Sequence, residues 1–154
     1  MDVERVDLGP ALLIGLHEVV PMPRLTEFFS RAFPAAAAGT ARLGLEVGGP
    51  AVALYAGPVD EHVDVTAGFL APDPRWQGAP DDGLTATRLP EGRAVVTTHV
   101  GPYDTMEATY GELSRWLSDA GLRPRDVMWE EYLDGPDTEP DPSRWRTRIV
   151  QPVV

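Results

Sequence analysis

The sequence predicts an α+β fold made of duplicated strand-helix-strand-strand units with pseudo-twofold symmetry. Three observations lead there. The apolar patterns run strand, helix, strand, strand, and then run so again. Landmarks recur in step: His17 and His99 each end the first strand of a half, and Tyr55-Ala56-Gly57-Pro58 answers Leu133-Asp134-Gly135-Pro136. Finally, one half offers too few elements to cover both faces of its own sheet. Two halves related by a twofold put both helices on one side. The other side is then a concave groove at the junction, where small-molecule sites tend to form.

Each element has its own signal. ALLIGLHEVV (11–20) is a continuous apolar run of strand length. MPRLTEFFSRAF follows with Leu25, Phe28, Phe29, Ala32 and Phe33 at helical spacing, and Pro34 is expected to end or kink that helix. AVALYAGP (51–58) and HVDVTAGFLAP (62–72) read as strands around a Gly-Pro turn. Residues 71–91 are rich in Pro, Gly and Asp and read as a loop, 73–88 at its centre dividing half-repeats of about 1–72 and 89–154 within a single domain. GRAVVTTHV (92–100) is a strand. The second helix has Asp104 and Glu107 spaced as a capping box and an apolar stripe of Tyr103, Met106, Tyr110, Leu113 and Leu117. Gly121 and Pro124 end it. DVMWEEYL (126–133) and SRWRTRIV (143–150) are the last strands.

Composition excludes several functions. Asp and Glu number 24 against 13 basic residues, and a net charge of −11 repels phosphate backbones, so no direct nucleic-acid contact is expected. The sequence contains no apolar run long enough to span a membrane and no basic leader at its start, so a cytoplasmic location is the default. Cysteine is absent, which removes disulfides and thiolate chemistry. His17, His62 and His99 stand far apart, with no partner at ligand spacing, so neither a metal nor another cofactor is expected. Phosphate-loop, GxSxG and HExxH motifs do not occur.

The chemistry concentrates in Met128-Trp129-Glu130-Glu131-Tyr132. Neighbouring residues of a strand point to opposite faces, so the two glutamates cannot share an environment. Met128, Glu130 and Tyr132 form one face; Val127, Trp129, Glu131 and Leu133 form the other, more apolar face, which is expected to meet the helices. The first set mixes an acid, a phenol and a thioether, the composition of a ligand surface. Alternation alone leaves open that both acids are solvated on an edge strand. Tyr55 and Tyr103 are further candidates for the groove. Phe69 and Trp145 are candidates with stronger claims to the core. Trp76, in the loop, is either a lid or an exposed residue. Arg144, Arg146 and Arg148 read as a solvated face.

LPEGRAVVTTHVGPYDTMEATYGELSRWL (89–117), WEEYLDGP (129–136) and RTRIVQPV (146–153), in that order, resemble the GyrI-like small-molecule-binding domain, the effector-binding module of multidrug-responsive regulators. AVALYAGPVDEHVDVTAGFLAP (51–72) is similar to the family's strand-turn-strand. The resemblance implies a duplicated fold and a glutamate, here Glu130, projecting into an aromatic-lined pocket. Glu131 departs from the family pattern, where an apolar residue is usual. Three functions are implied. One is a binding protein for flat, hydrophobic, often cationic compounds, which, without a helix-turn-helix, acts by sequestering drugs or through a protein partner. Another is a hydrolase of cyclopropane-containing alkylating natural products, with Glu130 as acid or base and Tyr132 or Tyr103 as hydrogen-bond donor. The third is an inhibitor of DNA gyrase by protein contact.

Overall fold

The structure is a computed structural model and describes residues 1–81 and 83–154. Strands β1 (Glu4–Leu8) and β2 (Leu12–Pro21) lead into helix α1 (Leu25–Arg42) and strands β3 (Ala51–Ala56) and β4 (His62–Leu70). The same order then repeats as β5 (Leu84–Arg88), β6 (Gly92–Val100), α2 (Met106–Asp119), β7 (Val127–Tyr132) and β8 (Arg146–Pro152). All eight strands form one antiparallel sheet, in the order β1-β6-β8-β7-β3-β4-β2-β5. That order reads the same under exchange of the two runs, so a pseudo-twofold axis passes between β3 and β7. Among the described residues, no helix is long and apolar enough to cross a membrane.

Two elements were not legible in the sequence. β1 (ERVDL) carries no strand signal, and β5 lies inside the stretch expected to be loop. Both are short edge strands with mostly exposed side chains, so they lack the apolar alternation that marks a half-buried strand. Each unit is therefore strand-strand-helix-strand-strand, and the leading strands are exchanged: β1 pairs with β6 of the second run, and β5 with β2 of the first.

The exchange bends the sheet. Only residues 9–11 join β1, at one edge, to β2, next to the other edge. Such a link reaches at most about 14 Å, whereas six strand spacings across a flat sheet come to about 29 Å. The sheet must curl until its edges approach. The face without helices turns inward and packs on itself, with Leu13 and Leu89 from one side meeting Val96 and Ala94 from the other, over Val52, Trp129 and Val150. Both helices lie on the outer face. Phe28 and Ala32 of α1 cover Val63, Val65 and Ala67, while Leu113 and Leu117 of α2 cover Val95 and Ile149. Each of the larger buried side chains contributes about 1.5–3 kcal/mol.

The helices differ from expectation in two details. α1 runs through Pro34 without a break. Proline removes one helical donor, but Pro34 and Ser30 are both exposed, so the Ser30 carbonyl left without a partner is open to water. The Asp104–Glu107 capping box does not form, because a 3-10 turn over Tyr103–Thr105 precedes α2 and its N-cap, Thr105, makes no side-chain cap. Thr105 instead donates its hydroxyl to the Pro102 carbonyl.

Candidate functional site

The pairing registers show how one carboxylate comes to the centre. Pro21 and Pro102 each precede a 3-10 turn that leads into a helix, which makes them counterparts. Followed from there through the β2–β4, β6–β8, β3–β4 and β7–β8 registers, Tyr55 is the counterpart of Tyr132, Ala53 of Glu130 and Phe29 of Tyr110. The landmarks that suggested the duplication are each one residue out of step: His99 corresponds to Glu18, not His17. One residue of slip reverses the face of a strand. His17 accordingly lies on the face without helices, 2.7 Å from Asp64, while His99 is buried beneath α2.

Ala53 and Glu130 stand directly opposite one another across the β3–β7 pair, at the pseudo-axis. The small side chain on one strand leaves room for the acid on the other. Glu130 is buried, at 7% exposure. Its Oε1 accepts hydrogen bonds from Tyr132 at 2.5 Å and, more weakly, from Tyr55 at 3.4 Å. Its Oε2 accepts from Tyr110 of α2. Two phenols related by the pseudo-axis thus converge on one oxygen, and α2 supplies the third.

Around this acid lies a groove of about 420 Å³, within the range of small-molecule sites. Its first wall comes from α1, with Leu25, Phe29 and Phe33; its second is Tyr103 and Met106, at the start of α2. Phe29 and Phe33 are stacked at 5.3 Å, and Tyr132 meets both edge-on. Tyr103 meets Tyr132 edge-on from the other side, with Trp145 behind it at 5.0 Å. The two walls differ in chemistry. Phe29 of α1 is apolar where its counterpart Tyr110 is a donor.

Burial, and then the nearby Glu130 charge, push the Tyr55, Tyr110 and Tyr132 phenols well above their usual pKa. They are neutral donors at every physiological pH. Among the described residues, Glu130 makes no ion pair. Its neighbour is treated differently. Glu131 lies on the inner face, where it binds Arg148 Nη1 through both oxygens at 2.9 Å and accepts from the Trp129 indole at 3.1 Å. Arg148 therefore belongs to a partly buried ion pair and not to a solvated face. Glu131 is neutralised; Glu130 is hydrogen-bonded to phenols and has no cationic partner among the described residues.

Alternation separates the two acids as expected, but the faces are reversed. Met128, Glu130 and Tyr132 share the face that carries the helices, and Trp129 with Glu131 faces the interior of the curl. The groove lies between the two helices and not on the opposite side of the sheet, because the curl packs that side. Of the sequence candidates, Glu130, Tyr132, Tyr55 and Tyr103 come together around it. Met128 lies beneath, its sulfur 4.0 Å from the Tyr110 hydroxyl. Phe69 supports Phe33 edge-on at 6.4 Å, and Trp145 supports Tyr103. Trp76 lines no part of the groove; it packs against Gly78 in its own loop. Tyr110, Phe29, Phe33, Leu25, Thr26 and Met106 were not singled out for the groove. The helical stripes contained most of them, but a stripe does not tell core from wall.

No metal-binding group of three or more His, Asp or Glu occurs among the described residues. Two other concavities, of about 790 and 740 Å³, are larger, but neither contains a buried carboxylate.

The family described as GyrI-like small molecule binding domain matches residues 1–154. No protein of curated function matches the chain. Among solved structures, the C-terminal domain of EcmrR is similar at 20% identity and a TM-score of 0.80, over 99% of this chain and 97% of that one. EcmrR in its complex with DNA gives 21% and 0.81, and there this chain spans 57% of the EcmrR length. SAV2435 bound to tetraphenylphosphonium is similar at 14% identity and a TM-score of 0.71, over 100% of this chain and 94% of that one. A hydrolase encoded by lin2189 from Listeria innocua gives 16% and 0.68, over 99% and 92%. At these identities the likeness is one of fold.

Proposed function

The chain belongs to the family of GyrI-like small molecule binding domains, and on that premise we propose that its groove binds lipophilic, cationic aromatic compounds, with Glu130 as counter-charge. The observation that carries this reading is the contrast between adjacent acids. Glu131 has its arginine, whereas Glu130 is buried among aromatic rings with only neutral phenols for partners. A carboxylate in that position is costly to keep charged unless a cation arrives. An aromatic cation brings the charge and also stacks on Phe29, Phe33 and Tyr103. The tetraphenylphosphonium complex of SAV2435, on the same fold, supports a ligand of this class.

Calorimetric titration with tetraphenylphosphonium tests the proposal. Glu130→Gln is expected to weaken binding by about 1–3 kcal/mol, roughly fivefold to 150-fold. A neutral aromatic of similar size loses much less. Equal losses for the cation and the neutral compound would sink the counter-charge role.

Hydrolysis is a second reading, favoured by the three phenols on one acid and by the fold shared with the Listeria innocua hydrolase. Glu130 would activate water or, if protonated, donate to a carbonyl, with Tyr132 steadying the developing negative charge. Turnover of an electrophilic cyclopropane is the assay. A catalytic Glu130 requires that Glu130→Gln lower kcat far more than it raises KM.

A further inference from the structure

A second feature lies outside the groove, on the other side of α2, along the edge of β6. β1 pairs with β6 only as far as Glu4 opposite Val96. Beyond that point the N-terminal residues leave the sheet, and the Asp2 carbonyl is held by the Thr97 hydroxyl at 2.8 Å. Gly101 donates to Trp145 and Val153 to Arg93 across the β6–β8 pair, so odd-numbered residues of β6 turn their backbone groups toward β8. The even-numbered Thr98 and Val100 turn theirs to the open edge. Both side chains are exposed, Val100 at 61%. A cleft of about 790 Å³ runs along this edge, under Thr105 and Glu112 on the α2 side and beside Asp2 and Glu4.

The pseudo-symmetry says what the cleft lacks. In the first run, the counterpart of His99 is Glu18 and that of Glu112 is Arg31. There Arg31 folds onto the sheet, with Nη1 2.9 Å from Glu18 and Nε 2.6 Å from Glu27. The first run thus fills its own cleft with a guanidinium. In the second run, the site of that guanidinium is an acid. Asp2, Glu4 and Glu112 form no ion pair among the described residues, and the Arg148 that reaches the cleft is held by Glu131. A free sheet edge accepts an extended segment through backbone hydrogen bonds, and the flanking charges select its side chains.

We propose that this cleft docks an extended basic segment of a partner protein, added as a strand to β6 at Thr98–Val100, with an arginine or lysine taking against Glu112 the place that Arg31 holds in the first run. The partner strand makes no contact with the groove between the helices, so this assignment stands apart from the ligand reading.

The test is fluorescence anisotropy with a labelled Arg-Val-Arg-Val-Arg-Val peptide and its Glu-Val counterpart, on the full chain. The basic peptide is expected to bind and the acidic one not. Glu112→Arg, which copies the first run, should weaken binding by at least about tenfold. Glu46→Arg, an equal change of charge at an exposed site elsewhere, should leave it within about twofold. Thr98→Pro removes only an N–H that faces the open edge, so the fold survives and the peptide is lost. Retained tetraphenylphosphonium affinity, or an unchanged thermal melt, certifies the fold of each variant. The proposal is overturned if the peptide does not bind or if both arginine variants weaken it equally. It is also overturned if Thr98→Pro has no effect, or if sedimentation shows dimers that Val100→Arg dissolves, which would give the edge to a second copy.

Discussion

Two adjacent glutamates of the same chemistry have opposite fates, and the difference lies in their neighbours. Glu131 sits in an ion pair that is partly screened from water, with Arg148 34% and Glu131 14% exposed at the side chain. Glu131→Gln keeps an acceptor for the Trp129 indole but leaves Arg148 without its countercharge. A loss of about 1–2 kcal/mol of stability is expected, above the value of an exposed pair and below that of a fully buried one. Urea unfolding should show it, while tetraphenylphosphonium affinity stays unchanged. Glu130→Gln should do the reverse, leaving stability little changed and costing affinity. The sequence made clear that the two acids diverge, since alternation is a property of any strand. It did not reveal Tyr110 as a partner, because that contact joins a helix to a strand 20 residues away.

At the scale of elements, two substitutions separate local preference from tertiary demand. Pro34 sits within α1 at an exposed position and deprives the helix of one hydrogen bond. Pro34→Ala should stabilise the chain by up to about 3 kcal/mol, seen as a higher melting temperature. No gain would mean that proline sets the path of α1 past Phe29 and Phe33. Gly68 is the converse case. It faces Gly15 across the β2–β4 pair, and a Cβ there would come 1.9 Å from the Ile14 carbonyl oxygen. The obstacle is backbone and cannot swing aside. Gly68→Ala should therefore cost at least about 2 kcal/mol by forcing the two strands apart, as measured by chemical denaturation. Gly in a strand pattern signals close approach of this kind; which backbone approaches is a matter of register.

For the whole molecule, the buried phenols predict the alkaline limit of the fold. The folded-state pKa values of Tyr55, Tyr110 and Tyr132 lie above the unfolded value of about 10. Below that pH both states hold the protons and stability is independent of them. Above it the unfolded chain ionises while the folded one cannot, so stability falls as pH rises. Three groups withdraw about 4 kcal/mol per pH unit, against a total of about 5–15 kcal/mol for a domain. Unfolding is expected within a few pH units above 10, with tyrosinate absorbance rising together with loss of circular dichroism. Gradual formation in the folded protein, well before unfolding, of more tyrosinate than the exposed Tyr103 supplies would contradict the hydrogen-bonded cluster on Glu130.

The sequence by itself determined the α+β class, the repeated order of strands and helices, the absence of thiol chemistry and the divergence of Glu130 from Glu131. All of these follow from local periodicity and composition. Only the tertiary structure decided which face of the sheet is closed. The leading strands β1 and β5 are exchanged between the two runs, and their short links draw the sheet into a curl. The curl buries the face of Trp129 and leaves the outer face, between the helices, for the groove. Edge strands with polar side chains carry little signal in sequence, yet these two set the curvature, and with it the side of the sheet on which the groove around Glu130 lies.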